Sequence, residues 1–227
     1  MKDDSILRDQ VAYYSARAGE YDEWFLREGR YDRGAEHREA WFSEIAAVRR
    51  ALSAAIHGLD VLELACGTGL WTEQLARENR SVLAVDASRE VLAINHKRVH
   101  ADHVRYETAD IFSWTPPRRF GAVFFAFWLS HVPPGRFATF WETVAAALEP
   151  DGRVFVVDSL LEPTSTAKDH DIDDSGVVRR RLNDGREFDI VKVFYEPQEL
   201  ETRLLELGWR GTVRSAGRFF LHGSVTR

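Results

Sequence analysis

The feature that most constrains the fold is the segment 61–72, in which an apolar run is followed by two glycines separated by one residue. The run begins at Val61, the glycines are Gly67 and Gly69, and a stretch with helical apolar spacing follows. A buried parallel strand that turns sharply into a helix has this pattern. Glycine is suited to the turn because it adopts positive φ and lets another group approach the backbone closely. The segment therefore predicts a strand, a tight turn and a helix, with a ligand at the turn.

A second apolar run, residues 81–86, ends in the carboxylate of Asp86. In open α/β sheets, ligands bind outside the carboxyl ends of the strands, where an acid on the second strand can hold ribose hydroxyls. The two runs therefore predict a nucleoside-containing cofactor. The dinucleotide fingerprint Gly-x-Gly-x-x-Gly is not met, because its third glycine, counted from Gly67, falls on Thr72. This mismatch disfavours a nicotinamide cofactor.

The row 63–69, Glu-Leu-Ala-Cys-Gly-Thr-Gly, resembles the first motif of the class I S-adenosylmethionine-dependent methyltransferases. Asp86 resembles the ribose-binding acid of that family, and the step Ala-Asp-Ile at 109–111 resembles its adenine-binding segment. Residues 148–154 resemble the turn into the fifth strand. These matches follow the order of the family and extend over residues 38–225.

The resemblance implies an α/β fold, a Rossmann-like seven-stranded mostly parallel sheet with helices on both faces and an N-terminal helical lid. We assign residues 1–37 to the lid helices and 38–227 to the methyltransferase domain. The segment 162–194 is expected to form a loop and hairpin insertion over the substrate side. The hairpin is predicted by Asp184-Gly185 between two strand-like runs. The implied cofactor is S-adenosyl-L-methionine, and the implied partner is a small-molecule methyl acceptor.

The resemblance also implies which residues hold the cofactor. Glu63 would face the methionine amino group, and an arginine of the lid would pair with the methionine carboxylate. Aromatic lid residues would face the sulfonium, because cations favour aromatic faces. A helix packed on the outside of the sheet is the alternative for the N-terminal segment. The expected cofactor-binding residues are Tyr14, Arg17, Glu63, Ala65, Gly67, Gly69, Asp86, Ala87, Asp110, Ile111 and Phe127.

His131 is the candidate catalytic residue. It follows the continuously apolar run 121–127, which is expected to form the fourth strand beside the first, at the topological switch point of the sheet. Imidazole titrates near neutral pH and could take a proton from a hydroxyl, an amine or an activated carbon of the acceptor. A histidine that forms local hydrogen bonds and fixes its loop is the alternative.

Composition and charge restrict the classes of partner and the cellular compartment that we expect. The chain has 227 residues and a net charge of −6, so a nucleic-acid substrate is disfavoured, although Arg179-Arg180-Arg181 is a short basic run. Cys66 is the only cysteine, so the chain cannot form an intramolecular disulfide, which agrees with a reducing compartment. We expect its side chain to be buried. The polar N-terminus and the absence of a long apolar stretch indicate neither secretion nor a membrane anchor, so we expect a cytoplasmic protein.

Two groups of potential metal ligands are expected to be solvated surface features. They are the histidines of the segment 96–103 and the acidic run 169–174. The run has no glycine at the position where a calcium-binding loop turns sharply, so we predict no metal site.

The sequence thus predicts in-line methyl transfer from S-adenosylmethionine to a small apolar or aromatic metabolite. The aromatic residues of the N-terminal segment favour an acceptor of this kind. Two alternatives stay open: a nicotinamide-dependent Rossmann oxidoreductase, and an S-adenosylmethionine-binding module without turnover. The sequence leaves open which acceptor is used, whether N, O, S or C is methylated, and the oligomeric state.

Overall fold

A seven-stranded sheet forms the centre of the molecule. The computed structural model describes residues 2–170, 172 and 174–227; Asp171 and Asp173 of the acidic run lie outside the described residues. The strands of the central sheet are β1 (Asp60–Leu64), β2 (Ser81–Asp86), β3 (Val104–Thr108), β4 (Phe120–Ala126), β5 (Leu148–Ser159), β8 (Arg210–Ser215) and β9 (Phe220–Thr226). A separate antiparallel pair is formed by β6 (Gly176–Arg181) and β7 (Glu187–Lys192).

The strand order is β3-β2-β1-β4-β5-β9-β8. Neighbouring strands from β3 to β5 are parallel, whereas β9 runs antiparallel to both β5 and β8. The mostly parallel seven-stranded sheet of the sequence prediction is confirmed. The order reverses between β1 and β4, so the switch point lies at the carboxyl ends of these two strands.

Helices pack on both faces of the sheet. Successive side chains of a strand point to opposite faces, so the central strands contribute to two apolar clusters. Phe125 belongs to an apolar cluster with Trp141 and Leu200, whereas the adjacent Phe124 belongs to a second cluster with Trp41. The helices are α1 (Lys2–Arg17), α2 (Tyr21–Leu26), α3 (Ala35–Ala55), α4 (Thr72–Glu78), α5 (Arg89–Arg98), α6 (Phe137–Ala146) and α7 (Pro197–Glu206). Within the described ranges, no helix has the length and apolarity that crossing a membrane requires.

The local sequence signals mostly predict the observed elements. The β6–β7 hairpin turns at Gly185, which has a φ of 90°. The helix expected over 134–148 begins at Phe137, after a short 3₁₀ turn. The fifth strand was expected to begin at residue 153 but begins at Leu148, because Leu148 pairs with Phe120 ahead of an irregularity in the register.

The N-terminal helices lie against the carboxyl edge of the sheet. Gln10 of α1 accepts a hydrogen bond from the Val191 amide (3.1 Å) and donates one to the His131 carbonyl (3.2 Å). Asp22 of α2 accepts a hydrogen bond from the Thr68 hydroxyl (2.6 Å) and forms an ion pair with Arg98. These contacts attach α1 to β7 and α2 to the glycine turn.

Candidate active site

Strained backbone marks the carboxyl ends of the two central strands. Ala65 follows β1 with a φ of 51°, and Phe127 follows β4 with a φ of 56°. Residues other than glycine rarely adopt such values, and those that do concentrate at ligand sites. Gly67, two residues after Ala65, also has a positive φ of 54°. The strain coincides with the switch point of the sheet.

A cavity of about 540 Å³ opens beside these residues. Its volume is in the range of 300–1,000 Å³ that is common for small-molecule sites. It extends along the carboxyl ends of β1, β2, β3 and β4 and is closed on one side by α1. We call it the cofactor cavity. The expected site residues that line it are Tyr14, Ala65, Gly67, Asp86, Ala87, Asp110, Ile111, Phe127 and His131.

Asp86 lies at the tip of β2 and connects the glycine turn to the start of the next helix. Its Oδ2 accepts a hydrogen bond from the Gly67 amide (3.0 Å), and its Oδ1 accepts one from the Ser88 amide (2.9 Å). Burial raises the pKa of this carboxyl, while the amide hydrogen bonds act in the opposite direction. Each carboxylate oxygen keeps a second lone pair, so Asp86 can still accept hydroxyl groups from a ligand.

Glu63 lies beside the cofactor cavity, in a small cavity of about 20 Å³ under the glycine turn. The two cavities share Ala65, Gly67 and Phe127. The Oε2 atom of Glu63 is buried and has no hydrogen-bond partner. Burial raises the pKa of Glu63 to about 8, against a hydrogen bond from Thr72 that lowers it. An unpartnered buried carboxylate is a suitable site for an ammonium group.

The structure places Gly69 and Arg17 away from the cofactor cavity. A Cβ atom on Gly69 would lie 2.5 Å from Oδ1 of Asn95, so close packing against α5 requires this glycine. Asn95 in turn donates to the Gly67 carbonyl (3.1 Å) and supports the turn from below. Arg17 was expected at the methionine carboxylate, but its guanidinium donates to the Tyr31 hydroxyl (3.2 Å) in a separate cavity.

His131 is held between two hydrogen bonds. Its Nδ1 lies 2.7 Å from the Val191 carbonyl and its Nε2 lies 2.8 Å from the Tyr14 hydroxyl. Because a carbonyl can only accept, Nδ1 carries the proton of the neutral ring and Nε2 accepts from Tyr14. Burial, followed by the charges of Lys192 and Arg180, holds the pKa of His131 well below its usual value. The ring is therefore neutral at pH 7, and its unprotonated nitrogen, Nε2, is directed at Tyr14.

A second cavity, of about 70 Å³, lies on the other side of this pair. We call it the acceptor cavity, after the role proposed for it below. It shares Tyr14, Tyr21, Phe127 and His131 with the cofactor cavity, so the two cavities meet at these side chains. Its other lining residues come mainly from the N-terminal segment and the hairpin, and they include Tyr13, Arg17, Tyr31, Arg180, Ile190 and Lys192.

Arg180 and Lys192 are the functional candidates that the sequence reasoning missed. Arg180 is the middle residue of the basic run, and in β6 it is buried whereas Arg179 and Arg181 are exposed. The predicted hairpin contained the necessary signal, because alternation along a strand turns the middle residue to the opposite face. Lys192 is the last residue of β7 and gave no such signal.

The residues around the first cavity fit an adenosine cofactor that carries an amino acid. The acid on the second strand, Asp86, matches the ribose, and the strained backbone at the switch point matches an amino-acid chain that packs closely against it. The buried carboxyl oxygen of Glu63, which has no partner, matches the ammonium group. The sequence profile described as a methyltransferase domain matches residues 61–152. The solved structure of DhpI with SAH is 40% identical, with a TM-score of 0.79, and the match covers 97% of this chain and 96% of that one.

The chain belongs to the class I S-adenosylmethionine-dependent methyltransferases. A second DhpI structure, in complex with SAM and HEP, is 39% identical to this methyltransferase with a TM-score of 0.80, and the match covers 98% of each chain. The ubiquinone biosynthesis O-methyltransferase of Aeromonas salmonicida (strain A449) is 29% identical over 110 residues. That match covers 46% of this methyltransferase and 44% of the Aeromonas protein, so it spans less than half of either.

Proposed function

We propose that this methyltransferase transfers the methyl group of S-adenosylmethionine to a small metabolite held in the acceptor cavity. The observation that carries the proposal is the meeting of the two cavities at Tyr14, Phe127 and His131. A reactant on each side of this junction would be aligned for in-line transfer, and alignment alone removes much of the entropic barrier. The SAM and HEP bound to DhpI support a two-ligand site of this kind.

S-adenosylmethionine, when bound, supplies an electrophilic methyl group and is converted to S-adenosylhomocysteine. We assign Glu63 to its ammonium group and Asp86 to its ribose hydroxyls. Asp110 and Ile111, at the far end of the cofactor cavity, are assigned to the adenine ring. The backbone of Ala65 and Gly67 would line the methionine portion. None of these residues lines the acceptor cavity, so we assign them to the cofactor alone.

Tyr14 and His131 are assigned to the proton of the acceptor. As the bond from the acceptor atom to the methyl carbon forms, the bond from sulfur to that carbon breaks and the sulfonium becomes a neutral thioether. The acceptor then releases its proton to the Tyr14 oxygen, and the Tyr14 proton passes to Nε2 of His131, 2.8 Å away. Under this assignment His131 has both of the roles considered from the sequence. Its hydrogen bond to the Val191 carbonyl fixes the ring, and Nε2 is left to act as the base.

The nature of the acceptor stays a prediction. An apolar or aromatic metabolite, expected from the aromatic N-terminal segment, would contact the tyrosines of the acceptor cavity. The small volume of that cavity and its basic side chains favour a compact polar group instead. The two possibilities differ in polarity and can be separated by testing which solvent fraction of a metabolite extract takes up label from the cofactor.

Two measurements test the proposed function. Calorimetric titration should show saturable binding of S-adenosylmethionine and no binding of NAD, and the reverse result would favour an oxidoreductase. Incubation with cofactor labelled on the methyl group should transfer label into a small-molecule extract. Binding without any transfer of label would leave a cofactor-binding module without turnover.

A further inference from the structure

The two oxygens of the buried Glu63 carboxyl differ in their partners. Glu63 is 1% exposed, and its Oε2 has no hydrogen-bond partner among the described residues. The other oxygen accepts a hydrogen bond from the side chain of Thr72, the fully buried first residue of α4. Thr72 stands where the dinucleotide fingerprint has its third glycine. A glycine has no hydroxyl, so this contact depends on the threonine of this chain.

Asn95 of α5 fixes the direction in which the Thr72 hydroxyl donates. Its Nδ2 lies 3.1 Å from the Gly67 carbonyl and 2.9 Å from Oγ1 of Thr72. A carbonyl can only accept, so the atom that faces Gly67 is the amide nitrogen, whose second proton goes to Thr72. Tyr106 supports this orientation, because its hydroxyl donates to Oδ1 of Asn95 (3.1 Å). Thr72 therefore accepts from Asn95 and keeps its single proton for Glu63.

This hydrogen bond favours the ionised form of the Glu63 carboxyl, which is the form that pairs with an ammonium group. Burial raises the pKa of Glu63 to about 8, the hydrogen bond from Thr72 lowers it, and the charge of Asp86 raises it. Thr72 is thus the group that opposes the effect of burial. Further titratable groups near this carboxyl are Cys66 of the glycine turn, Tyr106 of β3 and Tyr21 of α2.

We propose that Thr72 is a positioning residue of the cofactor site, whose hydroxyl occupies one oxygen of Glu63 and leaves the other to accept the ammonium group of S-adenosylmethionine. The inference rests on the assignment of Glu63 under the proposed function and adds the residue that prepares Glu63 for the ligand. Without the hydroxyl, both oxygens would lack a partner and the carboxyl would hold its proton more tightly. Binding of the cofactor would then require a less favourable deprotonation.

The first experiment measures the carboxyl in the protein without cofactor. Glutamate side chains are labelled with carbon-13, and the Glu63 resonance, identified by its absence from Glu63→Gln, is followed by NMR as the pH is raised. We expect a midpoint near the pKa of about 8 in the wild type. The loss of one hydrogen bond to a charged group changes an ionisation constant about tenfold, so Thr72→Val should move the midpoint to about pH 9. Thr72→Ser keeps the hydroxyl and should titrate like the wild type.

The second experiment measures the affinity for S-adenosylmethionine by calorimetry at pH 7 and at pH 9. A carboxyl that ionises about tenfold less readily weakens binding about tenfold at pH 7, but only about twofold at pH 9, where it is at least half ionised in both proteins. We expect this pattern in Thr72→Val, and an affinity within about twofold of the wild type in Thr72→Ser. Comparing variants at one pH cancels the ionisation of the cofactor's own amine, because both proteins bind the same ligand.

A purely structural role for Thr72 would give a different result, because a displaced turn weakens binding by the same factor at both pH values. That result would overturn the proposal, and so would a Glu63 midpoint in Thr72→Val no higher than that of the wild type. Thermal melting shows whether each variant folds. If Thr72→Val does not fold, Thr72→Ala takes its place with the same expected pattern.

The Glu63→Gln background shows whether Thr72 acts through Glu63. It has no titrating carboxyl beside Thr72, so adding Thr72→Val should change the affinity by the same factor at pH 7 and at pH 9. A loss that still depends on pH would place the effect at another group, such as Asp86, and would overturn the inference.

The outcomes separate this inference from the proposed function. Wild-type affinity of Thr72→Val at both pH values, with label transferred to a metabolite by the wild type, would remove the role of Thr72 and leave methyl transfer standing. The expected pH pattern with no label transferred to any metabolite would support the role of Thr72 and count against turnover.

Discussion

The cofactor cavity and the acceptor cavity share four side chains but draw their other walls from different parts of the chain. The cofactor cavity is formed by the ends of strands β1 to β4 and by α1, and both acids (Asp86, Asp110) and arginines (Arg8, Arg136) line it. The acceptor cavity is formed by the N-terminal helices, part of the segment 159–172 and the β6–β7 hairpin, which are far apart in the chain.

The two cavities differ most clearly in their acids. Asp86 and Asp110 line the cofactor cavity, and Glu63 lies in the small cavity beside it. S-adenosylmethionine presents hydroxyls, an ammonium and a sulfonium, which carboxylates and aromatic faces stabilise, together with one carboxylate. We therefore expect substitutions of the acids to change the affinity for the cofactor, and substitution of His131, at the junction, to change the rate of transfer.

The largest effect is expected for His131→Asn, at the junction of the two cavities. An asparagine amide can still donate to the Val191 carbonyl, but it provides no basic nitrogen at the position of Nε2. We expect kcat to fall by about 100-fold or more, as is typical when a general base is removed. The affinity for S-adenosylmethionine should stay within about twofold. Steady-state kinetics with the identified acceptor and calorimetry measure the two quantities.

The pH profile gives this prediction a second readout. Arg17, Arg180 and Lys192 face His131 from α1, β6 and β7, and Tyr14 donates to its Nε2. Burial and these cations hold the pKa of His131 well below its usual value. We therefore expect the acidic limb of kcat/KM for the acceptor, which reports the free enzyme, to lie below the usual histidine range and to be absent in His131→Asn. Equal kcat in wild type and His131→Asn at every pH would return His131 to a purely structural role.

The same division decides what the sequence could predict. The residues assigned to the cofactor, such as Asp86 and Ile111, lie in short motifs next to strand ends, so a local pattern locates them. The seven-stranded sheet is predictable for the same reason. The acceptor cavity depends on where α1 and the hairpin pack, and this is set by contacts such as that of Gln10 with Val191, 181 residues apart. Arg17, which the sequence resemblance assigned to the cofactor, therefore lines the acceptor cavity and not the cofactor cavity.

Asp86→Asn tests the acidic half of the comparison. The substitution removes the charge from the group assigned to the ribose hydroxyls, and it replaces an acceptor of the Gly67 or Ser88 amide with a donor. The loss of one or two charge-assisted hydrogen bonds should cost about 1.5–3 kcal/mol, which is roughly 10- to 150-fold in affinity for S-adenosylmethionine. The KM for the methyl acceptor should change by less than about twofold.

Asp60→Asn is a matched control, because Asp60 begins the adjacent strand β1, at the opposite edge of the sheet from the cofactor cavity, where it accepts from Ser81 (2.6 Å). The affinity of Asp60→Asn for the cofactor should equal that of the wild type. Calorimetry on both variants makes the comparison, and an unchanged affinity in Asp86→Asn would show that the ribose binds elsewhere.

A smaller but distinctive effect is expected from Glu63. In the free protein its pKa is raised to about 8 by burial, so the carboxyl is mostly protonated at pH 7. A cofactor ammonium beside it lowers that pKa, and binding at pH 7 should then release close to one proton. At pH 9 the carboxyl is already ionised and Glu63 should release almost none. Calorimetry in two buffers with different ionisation enthalpies counts these protons.

Glu63→Gln removes the titrating group and keeps the shape of the side chain. Proton release attributable to this site should disappear at pH 7, with an affinity loss of about tenfold. If the variant releases as many protons as the wild type, the cofactor ammonium does not lie beside Glu63, and the small cavity under the glycine turn has another purpose.

The smallest effect is expected for Cys66, which tests the burial of the residues under the glycine turn. Burial, followed by the charges of Asp86 and Glu63, raises the pKa of this thiol well above its usual value. Thiolate is the reactive form, so iodoacetamide should label the native protein at least tenfold more slowly than the denatured chain at pH 8. Cys66→Ala should keep kcat within about twofold and cost about 1 kcal/mol of stability. Rapid labelling of native Cys66 would contradict the burial of this thiol and show that the glycine turn opens to solvent.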